Sequence, residues 1–127
     1  MRIKIVTMIV CILLLAGISV TEQISVSRIA HGALYRTQAI LADIRAGELE
    51  EAMKKAQSLD RDWDEQAKML EILVDHGSTD EVRYALSKLI AALESGDYAA
   101  AMVYAGELEG GVEHVHERQA FTLENLF

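Results

Sequence analysis

Ile40-Leu41-Ala42-Asp43-Ile44-Arg45-Ala46-Gly47-Glu48-Leu49-Glu50-Glu51-Ala52-Met53-Lys54-Lys55-Ala56 aligns without a gap to Leu89-Ile90-Ala91-Ala92-Leu93-Glu94-Ser95-Gly96-Asp97-Tyr98-Ala99-Ala100-Ala101-Met102-Val103-Tyr104-Ala105, 49 residues further along the chain. Each copy reads apolar-apolar-Ala, then Gly-acid-apolar, then Ala-Met-x-x-Ala. A glycine just past a periodic apolar run accepts the left-handed backbone that ends a helix, and an acid after it suits the start of the next helix. Each copy is therefore the end of one helix, a tight turn and the beginning of another. Two copies predict two antiparallel αα-hairpins. The small alanines beyond each turn let paired helices approach closely there.

The periodicity on either side of the two turns supplies the helices. Before Gly47, Val26, Ile29, Ala33, Ile40 and Ile44 recur on one face from about Glu22 to Ala46. From Glu48 to about Asp75, the positions Leu49, Ala52, Ala56, Leu59, Trp63, Gln66, Leu70 and Leu73 alternate steps of three and four, a heptad stripe interrupted once by Gln66. Asp60-Arg61-Asp62 offers a place for a kink, and His76-Gly77 reads as the end of this helix. Ser78, three residues before Glu81, has capping-box spacing, and Val82, Ala85, Leu86, Leu89, Ile90 and Leu93 follow as one stripe up to Gly96. Asp97 can cap a fourth helix carrying Ala101, Tyr104 or Ala105, Leu108, Val112 and Val115, which Gly110-Gly111 weakens in its middle. Met53, Met69 and Met102 lie at or beside these stripes and read as core filler.

Composition agrees. The chain has no proline, and 51% of its 127 residues are apolar, so nothing breaks a helix ladder and a core can form. The expected fold is all-α: an N-terminal transmembrane anchor helix followed by an antiparallel bundle of two αα-hairpins.

The anchor is read from Ile5 to Val20, sixteen residues without a charge, including Ile5, Val10, Leu14 and Val20. At the helical rise this run spans roughly 24–27 Å, a little short of a hydrocarbon core of about 30 Å, and Lys4 can snorkel to make up the difference. Arg2 and Lys4 precede the run and Glu22 follows it, which predicts a cytoplasmic N-terminus. The competing reading is a cleaved signal peptide, with Gly17-Ile18-Ser19 as a weak cleavage site. Both readings put the rest of the chain outside the cytoplasm, so residues 1–21 are assigned as a cell-membrane anchor and 22–127 as an extracytoplasmic bundle domain. Setting aside Arg2 and Lys4 leaves 10 of the 12 basic residues against all 20 acidic ones, a net charge of −10 on that domain. Such a surface repels phosphate backbones, so no nucleic-acid partner is expected. The single cysteine, Cys11, lies inside the apolar run, which rules out a disulfide framework or a cysteine nucleophile in the domain.

The polar cluster Glu113-His114-Val115-His116-Glu117 is the candidate for chemistry. Glu113 and Glu117 stand one turn apart and His114 lies three residues before Glu117, spacings that can hold a metal in a helical bundle. His114 and His116 point about 200° apart on a helix and cannot share an ion. No facing Glu-x-x-His is available either, so no catalytic residue, cofactor or tight metal site is expected. His31 has no evident partner. Asp60, Asp62, Asp64 and Glu65 around Trp63 read as a charged surface over a buried indole.

The Ala-Gly-acid-Leu turn, Trp63 inside the second helix, Asp75-His76 at its close and the ending Phe121-Thr122-Leu123-Glu124-Asn125-Leu126-Phe127 together resemble the bacterial family called domain of unknown function 4363. That resemblance implies a small membrane-anchored helical protein, often encoded near a multi-spanning membrane protein, and it implies no catalytic residues. The expected role is a non-enzymatic interaction or accessory module acting with a membrane-protein partner. A metal- or ligand-binding bundle is the alternative. The apolar tail, Phe121, Leu123, Leu126 and Phe127, either closes the bundle or enters a groove on that partner.

Overall fold

Four helices follow one another in a computed structural model that describes the backbone of residues 1–73 and 76–126, with side chains throughout except at 22–23, 72–73 and 118–126. They are α1 (Arg2–Arg45), α2 (Leu49–Leu73), α3 (His76–Glu94) and α4 (Tyr98–Leu126), and the described residues contain no strand. The apolar run and the first bundle helix are one helix. No glycine pair or proline separates them, and at the helical rise α1 is about 66 Å long.

Both glycine turns are Schellman motifs. Gly47 has φ +77° and Gly96 φ +71°. The amide of Gly47 donates to Ile44 O at 3.1 Å and that of Glu48 to Asp43 O at 2.8 Å; Gly96 donates to Leu93 O at 3.2 Å and Asp97 to Ala92 O at 2.9 Å. These four bonds occupy carbonyls that a helix end would otherwise leave unpaired. Asp97 then caps α4, its Oδ1 accepting the Ala100 amide at 3.0 Å.

Consecutive helices pack side by side, and α4 closes the ring against α1; among the described residues the diagonal pairs α1/α3 and α2/α4 do not meet. The bundle is thus up-down-up-down, with the Gly47 and Gly96 turns at one end. The core is the set of stripes the periodicity marks: Val26, Ala33, Ile40 and Ile44 of α1, Ala52 to Leu70 of α2, Val82 to Leu93 of α3 and Ala101 to Val115 of α4. Trp63 is fully buried at its centre. Gly111 is buried where α4 crosses α3, and a Cβ there would stand 3.3 Å from Val82 Cγ2.

Four expectations change. α3 begins at His76, so Ser78 and Thr79 are buried in its first turn rather than standing ahead of it as a cap. His76 accordingly opens α3 and does not close α2; its carbonyl accepts the Thr79 hydroxyl at 2.9 Å. Burial of Ser78 and Thr79, with the Thr79 carbonyl bonded to Trp63, outweighs the local capping signal. Met69 is 56% exposed and fills no core gap, whereas Met53 and Met102 pack against the core. Finally, α2 runs without a break through Asp60-Arg61-Asp62. Asp75 lies outside the described residues.

Candidate functional site

The feature that no bundle contact accounts for is the first half of α1. Its most apolar window has a mean hydropathy of 2.6 and is entirely unburied, which makes α1 long and apolar enough to cross a membrane. Ile5, Val10, Leu14 and Val20 are all exposed, as are Ile9, Ile12 and Leu13 between them. The polar side chains along this stretch bond back to their own helix. Thr7 donates to Ile3 O, Ser19 to Leu15 O, Thr21 to Gly17 O and Ser25 to Thr21 O, at 2.8–3.1 Å. A hydroxyl satisfied this way presents little unmet polarity to an apolar surround. Burial begins at Val26, so one helix passes from an uncovered apolar cylinder to a packed core face within a turn or two.

The residues singled out for metal chemistry are held apart. Glu113 and Glu117 are exposed. His114 faces α3, its Nδ1 3.3 Å from Glu81 Oε2. His116 faces α1, where its ring lies against His31, with centroids 4.6 Å apart and the planes tilted by 56°. The two histidines thus serve opposite neighbours of α4, as their angular separation requires. Among the described residues no three His, Cys, Asp or Glu side chains converge. The His31–His116 pair escapes sequence reasoning because it depends on the register between the first and last helices; the only local hint is that both histidines flank core positions, Ala30 and Val115.

The acidic stretch around Trp63 is a surface feature. Arg36 of α1 binds Asp62 Oδ2 at 2.7 Å and the Ser58 hydroxyl at 2.8 Å. Arg83 of α3 holds Asp64 at 3.2 Å and Asp80 at 3.3 Å. Half-burial pushes the Asp60 carboxyl above its ordinary value, and the Asp64 charge one turn away adds to the shift while Arg83 opposes it.

A cleft of about 420 Å³ between α1 and α2 is lined by Tyr35, Arg36, Ala39, Lys54, Lys55 and Ser58. Its cations already have acidic partners. Lys55 sits 2.7 Å from Asp43, a bond that holds its ammonium above the usual lysine value, and Lys54 reaches Glu51 at 3.4 Å. The side chains of Phe121, Leu123 and Leu126 lie outside those described, and Phe127 lies outside the described residues.

The family model described as Domain of unknown function (DUF4363) matches residues 20–126. No curated protein and no solved structure matches the chain.

Proposed function

The chain belongs to the DUF4363 family, and from that premise we propose that it is a single-pass membrane protein whose bundle stands outside the cytoplasm and works there as a non-enzymatic interaction module for a membrane-protein partner. The observation that carries this reading is the continuity of α1. Its uncovered apolar half and its core-packed half are one unbroken helix. A large contiguous apolar surface is stable only when something apolar covers it, and lipid is the covering that suits a cylinder apolar on all sides. Arg2 and Lys4 immediately ahead of that cylinder favour a cytoplasmic N-terminus. Because one continuous helix joins them, a partner gripping the apolar helix in the membrane would also orient the bundle.

The test is a pair of topology reporters fused after Phe127, one active only outside the cytoplasm and one active only inside. Activity of the external reporter alone is expected. Activity of the cytoplasmic reporter alone overturns the proposed topology. Capture of the intact chain from membranes, with and without the apolar half of α1 replaced by an unrelated spanning helix, then tests the partner. Loss of a reproducible membrane-protein partner on replacement supports recognition within the membrane.

A further inference from the structure

The geometry points to a transition-metal clip formed by His31 and His116, which would join α4 to α1 about 15 Å along the helix from the end of the apolar run. We propose that these two imidazoles bind one divalent ion of the copper(II) or nickel(II) type, with water completing the coordination. The assignment is independent of the function proposed above.

Two observations carry it. First, the rings come from different helices and lie 4.6 Å apart between centroids. A metal–nitrogen bond of about 2.0–2.1 Å places an ion roughly 3.2 Å from an imidazole centre, so centres this close subtend about 90° at a shared ion. That is the cis angle of a tetragonal or octahedral ion, whereas a tetrahedral one would hold the centres about 5.2 Å apart. Copper(II) and nickel(II) favour the former geometry with imidazole ligands. Second, Nδ1 of His116 is buried and has no hydrogen-bond partner among the described residues. Buried polar atoms are paired in nearly every native protein, and an orphaned nitrogen on one of two adjacent imidazole rings is a donor such an ion would use.

The surroundings suit a cation. Glu113 stands one turn before His116, and Glu117 follows it. The Glu81–His114 pair lies on the opposite side of α4 and takes no part. His31 is exposed, so an ion can reach the pair from solvent. Arg28, one turn before His31 on α1, is exposed, and Arg118 follows His116 by two residues.

The experiment uses the full chain in detergent micelles, with Cys11→Ser to remove the thiol as a competing ligand and copper(II) as the probe in a non-coordinating buffer. One copper(II) per chain is expected, with an electron paramagnetic resonance spectrum carrying hyperfine splitting from two imidazole nitrogens. His31→Gln and His116→Gln should each weaken binding by roughly ten-fold or more and remove that two-nitrogen signature, since losing a direct ligand costs at least what losing its supporting contacts does. His114→Gln should bind as the parent does. Because His31 is exposed, its variant should keep the parent's helicity, so this arm decides the outcome even if His116→Gln is unstable. No copper(II) binding by the parent, unchanged binding in His31→Gln, or equal loss in His114→Gln would overturn the clip.

Discussion

The indole Nε1 of Trp63 donates to the main-chain carbonyl of Thr79 at 3.2 Å, so the middle of α2 is bonded to the first turn of α3. Both residues are fully buried. The bond satisfies the buried indole N–H and fixes the height at which the second hairpin meets the first. Trp63→Ala should cost about 3–5 kcal/mol, the range for deleting a buried aromatic. Trp63→Phe keeps most of the apolar volume but loses the bond to the Thr79 carbonyl, and should cost about 0.5–1.5 kcal/mol, the net worth of one hydrogen bond. Urea unfolding of the chain in mild detergent measures both. A loss below about 0.5 kcal/mol for the alanine variant would mean the indole does not organise the core.

Gly47 and Gly96 occupy equivalent left-handed positions at the same end of the bundle. An added Cβ at either meets nothing within 4 Å, so the penalty for valine is backbone strain alone. Gly47→Val and Gly96→Val should each cost about 1–2 kcal/mol. With no shared neighbours at the two Cβ positions, the double variant should equal the sum to within about 0.5 kcal/mol. A larger departure would show that the two turns are coupled through the packing of the hairpins.

Gly110 and Gly111 are adjacent in α4 but face different surroundings. Gly110 is exposed and has open space at its Cβ position, so Gly110→Ala should raise stability by about 0.5–1 kcal/mol through helix propensity. At Gly111 the new methyl would press on Val82, and the same gain should be reduced or reversed. Equal thermal shifts for the two alanine variants would refute the close approach of α4 to α3 at this level.

Asp60 supplies a pH dependence. Burial and the nearby Asp64 raise its carboxyl in the folded chain above the ordinary 3.8. The native state therefore holds this proton more tightly than the unfolded chain does. Its effect on stability is unfavourable above the raised value and fades as pH falls through that value toward 3.8. Asp60→Asn should be more stable than the parent at neutral pH, and the gap should close on acidification. A gap that widens as pH falls would contradict the assigned direction.

Much of the fold is legible in the chain. The duplicated Gly-acid turn, the heptad stripe through Trp63 and the Asp97 cap all appear where their residues predict. The α2–α3 junction is less so, because His76-Gly77 looks like a helix end and Ser78 like a helix start, while burial of Ser78 and Thr79 beneath Trp63 carries α3 back to His76. Met69 misleads for a related reason. It stands beside the Leu70 stripe, and only the packed neighbours decide that this shoulder of α2 stays in solvent.

The histidines divide the two kinds of information most sharply. That His114 and His116 cannot serve one site follows from helical geometry alone, since it concerns residues two positions apart on one helix. That His114 meets Glu81 while His116 meets His31 depends on which helices flank α4 and at what height. By itself the sequence determined the two glycine-turn helix ends, the main buried stripes and the uncovered apolar run, because these arise from interactions within a few residues and from hydrophobic period. Only the tertiary structure decided the ring order α1–α2–α3–α4 and the pairings across it, including Trp63 with Thr79 and His31 with His116. Neighbour and register are chosen by packing all four apolar faces at once, and no local pattern encodes that sum.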